Sequence, residues 1–154
     1  MHQTIWNRTI MVAAAVLLSI QLIPVRGTNP PIETDVPAAP GVRAVLRRAC
    51  YNCHSNETHW PWYAYVAPIS WLVGHDVEAG RRAVNFSKWQ TIDPLRQRSA
   101  MRTIVHRVAK GHMPPWFYVA LHPEARLSEN DRNVLREWAA LAIARAPAGQ
   151  QASR

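Results

Sequence analysis

The sequence predicts an all-α domain preceded by an apolar amino-terminal helix. Apolar residues recur at i, i+3, i+4 and i+7 in well-separated stretches, and helix start and stop residues bracket those stretches. No segment alternates with the two-residue period of a half-buried strand. The 154 residues leave room for one domain and a short extension. With 48% apolar residues the composition is globular, while 12 prolines imply interrupted helices and many loops.

His2 and Arg8 precede the uncharged run Ile10–Ile23, whose length lies between the core of a cleaved signal and a full membrane span. Val25-Arg26-Gly27 is a poor cleavage site, so an uncleaved single-pass anchor over residues 1–26 is preferred to a cleaved signal. Residues 27–41, with Pro30, Pro31, Pro37 and Pro40, read as a semi-extended linker. The domain is expected over residues 42–146 and a flexible tail over 147–154.

Within the domain, Val42, Val45, Leu46 and Ala49 place one stripe on a short helix that runs into Cys50. Ser70 is a good N-cap for a helix reaching about Arg82 and burying some of Trp71, Leu72, Val73 and Val77. Asp93-Pro94 combines a capping acceptor with proline at the first helical position, and Gly111 is a natural stop. Met101, Ile104, Val105 and Val108 form the stripe between them. His112-Met113-Pro114-Pro115 cannot continue that helix, because proline lacks a donor and restricts its neighbour, so Met113 falls on a loop. Ser128 with Asp131 resembles a capping box and opens a closing helix that buries Val134, Leu135, Trp138 and Leu141.

The net charge is +8, and removing residues 1–26 takes away only Arg8 and Arg26. The basic residues of the domain (Arg47, Arg48, Arg81, Arg82 and the set Arg96 to Arg107) are scattered, with no DNA-reading motif around them. That argues against nucleic acid and leaves a solvated face or acidic redox partner proteins.

Both cysteines lie in one four-residue window, so they do not staple the fold. Cys50-Tyr51-Asn52-Cys53-His54 is the C-x-x-C-H pattern of covalent haem attachment. Two thiols three positions apart can each add to one vinyl group on a haem edge, while the next imidazole reaches the iron. A thioredoxin-like dithiol would want a βαβ setting, and a zinc site would want a fourth ligand. For the distal side of the iron Met113 leads, since a proline-fixed loop holds its thioether outward and Met/His ligation suits electron transfer. The bland alternative is a core methionine. His75 is the alternative distal ligand, and His59, His106, His112 and His122 have weaker claims. Trp60, Trp62, Tyr63, Tyr65 and Trp71, interleaved with Pro61 and Pro68, are expected to wall the haem pocket.

The stretches Cys50–Trp89, Gly111–Tyr118 and Leu121–Ser128 resemble the bacterial haem-binding-domain proteins, a cytochrome c-like family with an amino-terminal membrane segment. The resemblance covers roughly Val42 to Ala142 and implies an all-helical cytochrome c-like fold around one covalent haem c, placed in the periplasm. Met113-Pro114 is also similar to the methionine–proline pair that supplies the distal ligand in class I cytochromes c. The insertion WPWYAYVAP departs from the small cytochromes c. The expected function is a one-electron carrier at the periplasmic side of the inner membrane, anchored there or soluble after cleavage, that meets redox partner proteins. A haem enzyme, peroxidase-like or reducing a small molecule, or a redox or gas sensor would need an open sixth position.

Overall fold

The computed structural model describes residues 2–23 and 27–145, and all regular secondary structure among them is helical. The cleavage point considered at Val25-Arg26 and the tail at 147–154 lie outside the described residues. Helix α1, His2–Ile20, is long and apolar enough to cross a membrane, and none of its residues is buried by the rest of the chain. Its end is nonetheless tied down. Gln21 Nε2 donates to the Ala67 carbonyl and its Oε1 accepts from the Ala67 N–H, each at 3.0 Å. Trp71 Nε1 donates to the Ile23 carbonyl at 3.2 Å.

Residues 27–39 contain no helix, as expected of a linker, yet they are sewn to the domain as a strap. The N–H groups of Glu33 and Thr34 both donate to the Ser87 carbonyl at 3.0 Å, Asn29 donates to the Thr58 carbonyl, and Val36 is buried in the core. The packed unit thus begins before Val42.

Helix α2, Pro40–Ala49, buries Val42, Val45, Leu46 and Ala49, the stripe that the spacing predicts. Cys50, at φ −126° and ψ −37°, bends the chain before the single turn α3, Tyr51–His54. After a 3-10 turn at Trp62–Tyr65, helix α4 runs from Ile69 to Ala83. It starts ahead of Ser70, which is buried and makes no cap. The buried face of α4 is Ser70, Gly74, Val77 and Gly80, while Leu72 is exposed. Small residues on this face let α4 lie against α3 at close range.

A second 3-10 segment, Phe86–Thr91, leads to α5, Pro94–Ala109. Asp93 caps α5 by accepting from the N–H groups of Leu95 (2.9 Å) and Arg96 (3.3 Å). Helix α6, Trp116–Leu121, and a 3-10 turn at Pro123–Ala125 precede α7, Glu129–Arg145. The capping box forms as expected: Ser128 N donates to Asp131 Oδ2 at 2.8 Å, and Asp131 N donates to Ser128 Oγ at 3.1 Å. Packing of α7 on α5 and α2 closes one core, built on Leu46, Phe86, Trp89, Met101, Leu135 and Trp138.

Gly111 ends α5 with φ +68°, and a Cβ added there would meet nothing within 4 Å. Its replacement therefore probes the left-handed backbone alone. Gly111→Ala is expected to cost about 1 kcal/mol and to lower Tm by several degrees in a thermal melt, with no change in helix content at 20 °C or below.

Candidate functional site

The site is built on the bend between α2 and α3. Cys50 N donates to the Leu46 carbonyl at 2.8 Å, and the N–H groups of Cys53 and His54 both donate to the Cys50 carbonyl, at 3.2 and 2.9 Å. One helical turn thus separates two free thiols. Burial pushes the Cys50 thiol up to about 12, with Cys53 adding to the effect and Arg48 opposing it. Burial likewise pushes Cys53 up to about 11, Asp76 adding and Arg81 opposing. Both therefore stand as thiols rather than thiolates at neutral pH in the unloaded chain. Among the described residues, no group of three or more His, Cys, Asp or Glu converges to hold a metal ion.

His54 follows on the same turn. Its Nδ1 lies 2.9 Å from the Gly80 carbonyl oxygen and 3.2 Å from that of Val84. A carbonyl can only accept, so Nδ1 carries the proton and Nε2 is left as the free base. Burial holds the imidazole below its ordinary pKa, against the two carbonyls, which pull it up. The ring stands 6.3 Å from Phe86, which stacks on Tyr51 at 5.3 Å, and the Tyr51 hydroxyl donates to Asp35 of the strap. Sequence, strap and α4 therefore fix one ring in one tautomer.

Two residues of α4 make this possible. A Cβ at Gly80 would overlap the Cys53 carbonyl, so only glycine permits the approach. Arg81 donates to the carbonyls of Ser55 (2.8 Å) and Thr28 (2.8 Å), to Asn29 Oδ1 (3.0 Å) and to Thr58 Oγ1 (3.0 Å). That guanidinium joins α4, the strap and the segment after His54.

Met113 lies on the loop after α5, as predicted, with 38% of its surface exposed, whereas Met101 is buried in the core. The loop and α6 are tied to the cysteine turn through Asn52, whose Nδ2 lies 2.7 Å from Tyr118 Oη. Tyr118 stacks on His122 at 4.4 Å; His122 Nε2 lies 2.6 Å from Tyr63 Oη, and its Nδ1 lies 3.0 Å from Glu124 Oε1. Burial pushes both phenols, Tyr63 and Tyr118, above their ordinary values, and each also senses Cys53. This aromatic chain joins three separate stretches of sequence. The three stretches that resemble the family, Cys50–Trp89, Gly111–Tyr118 and Leu121–Ser128, supply its members. His75 is exposed on α4, and His59, His106 and His112 are exposed as well.

The aromatic cluster divides its work in a way that sequence did not show. Trp60 donates to Asn29 Oδ1 and lies against Gly27, and Trp71 reaches Ile23, so both serve the strap and the end of α1. Trp62 is 77% exposed, as are Tyr65 and Leu72 to smaller extents, and Trp116 of α6 is 81% exposed. Both bare apolar segments connect to the cysteine turn, one through α4 and one through Asn52. A flat apolar group with a metal at its centre suits this setting: protonated thiols, a neutral imidazole with Nε2 free, and uncovered aromatic rings nearby.

An all-helical domain with these features is a haem protein by the chemistry of its site. The profile described as Haem-binding domain matches residues 15–141, and the chain belongs to that family. The match begins inside α1 and includes the strap, in keeping with a unit that starts before Val42. No curated protein and no solved structure matches the chain.

Gly80→Ala is expected to force α4 away from the Cys53 carbonyl and to cost about 1–3 kcal/mol through overpacking, measured by denaturant unfolding. Loss of the His54 contact to the Gly80 carbonyl should accompany it, seen as a shifted imidazole Nδ1–H resonance.

Proposed function

We propose that the chain is a c-type cytochrome. Each thiol of Cys50 and Cys53 adds across one haem vinyl group, sulfur to one carbon and hydrogen to the other, giving two thioethers. His54 Nε2 takes the proximal side of the iron and Met113 sulfur the distal side, with His75 as the alternative distal ligand. The observation that carries the reading is the bonding of His54 Nδ1 to the Gly80 and Val84 carbonyls on the same turn as the free thiols of Cys50 and Cys53. Haem held this way supplies one-electron exchange between ferric and ferrous iron.

The reading extends to a carrier at the periplasmic side of the inner membrane, with α1 as its anchor and Met113 closing the distal side. A haem enzyme or sensor would instead leave that side open. For the partner, the placement of charge favours an acidic redox protein. Arg43 and Arg47 pair with Asp35 and Glu57, Arg48 with Asp131, Arg82 with Glu78 and Lys88 with Glu33. Among the described residues, Arg96, Arg102, Arg107 and Lys110 have no ion-pair partner, and all are exposed. They belong to α5 and its end, a helix without an acidic residue that leads directly to the Met113 loop. An acidic face docked there meets unspent positive charge next to the proposed iron ligand.

The test uses full-length protein produced with haem-maturation machinery. Replacing both Cys50 and Cys53 with serine should abolish haem that survives denaturing electrophoresis; stained haem in that variant overturns the reading. Met113→Ala should remove the weak far-red band of oxidised methionine-ligated haem and open the reduced protein to carbon monoxide.

The charge on α5 makes a separate expectation. Oxidation of the reduced protein by an anionic small-molecule oxidant should slow on raising the salt, and Arg102→Glu with Arg107→Glu should remove most of that salt dependence in stopped-flow traces.

A further inference from the structure

We propose that Asn52 and Tyr118 form a latch that holds the Met113 loop against the cysteine turn, which makes both of them positioning residues for the distal side. The proposal rests on the Met113 reading above. At its start the loop is secured by backbone alone: the N–H groups of His112 and Met113 both donate to the Arg107 carbonyl, at 2.9 and 3.3 Å. At its far end stands α6, and no residue of α6 is buried. Trp116, Phe117 and Leu121 face outward, so core packing holds this helix only weakly. What reaches inward is Tyr118, half-buried against the core.

The orientation of the Asn52 amide is fixed from both ends. A backbone N–H can only donate, and His59 N lies 3.0 Å from Asn52 Oδ1, so that atom is the acceptor oxygen. Asn52 Nδ2 therefore faces Tyr118 and donates to its hydroxyl at 2.7 Å. The Asn52 carbonyl accepts from Thr58 Oγ1 at 2.8 Å, which fixes the backbone that carries the amide. Behind Tyr118, the His122 ring stacks at 4.4 Å and limits the positions the phenol can take. One residue between the two cysteines thus sets where α6 begins, and α6 sets where the residue three before it, Met113, can point.

The decisive variant is Tyr118→Phe, which removes the hydroxyl and keeps the ring, its stacking and its volume. In the haem-loaded full-length protein, carbon monoxide association with the reduced form should speed up about two- to tenfold, the change expected from one lost hydrogen bond. The far-red band of the oxidised form should be lost at a lower pH than in the unmodified protein. Amide exchange at Val119 and His122, which donate to the Pro115 and Tyr118 carbonyls, should speed up to a similar extent. A band and carbon monoxide rate that match the unmodified protein in Tyr118→Phe overturn the latch and leave the Met113 reading intact. Unmodified protein without the band overturns the Met113 reading and the latch together.

Discussion

Everything in this structure is arranged around the approach of α4 to the turn that carries Cys50, Cys53 and His54. Gly80 allows the contact because a side chain there would overlap the Cys53 carbonyl, and the same residue's carbonyl accepts from His54 Nδ1. One glycine therefore brings the helix in and orients the imidazole. Arg81, next along, spends its guanidinium on the strap and on the segment after His54. A half-buried guanidinium is costly unless its donors are used, and here the acceptors come from four different residues. Local helix geometry fixes the thiols, and long-range polar contacts fix what surrounds them.

That division explains which parts of the fold were legible in the sequence. The α2 stripe, the Asp93 cap, the Gly111 stop and the Ser128–Asp131 box obey rules that act within one or two turns, and all of them appear in the structure. The start of α4 was displaced by two residues, from an N-cap at Ser70 to one at Pro68, and its face was misjudged for a clear reason. Its buried positions are Ser70, Gly74, Val77 and Gly80, which look weakly hydrophobic, while Leu72 looks like core and is exposed. A face chosen for closeness carries little of the apolar signal that periodicity detects.

The strap and the Asn52–Tyr118 contact were hidden for a different reason. Proline-rich composition describes a chain with few internal contacts, but Asn29, Glu33 and Val36 find partners at Thr58, Ser87 and the core. Asn52 and Tyr118 are 66 positions apart, beyond any local pattern. The same holds for the N–H groups of Trp60 and Trp71, which secure the strap and the end of α1. The C-x-x-C-H pattern was plain in the sequence, and the residues that orient Cys50, Cys53 and His54 were not.

The strap also governs reach. Its anchorage begins at Gly27, pressed against Trp60, and the end of α1 is held at Gln21 and Ile23. Residues 24–26 are all that lies between, and the four steps from Ile23 to Gly27 span at most about 14 Å when fully extended. A domain on so short a lead cannot sweep through a volume of solution. With α1 in a bilayer its search for a partner would be two-dimensional, by diffusion in the plane, and the frequency of encounter would depend on surface density rather than on concentration.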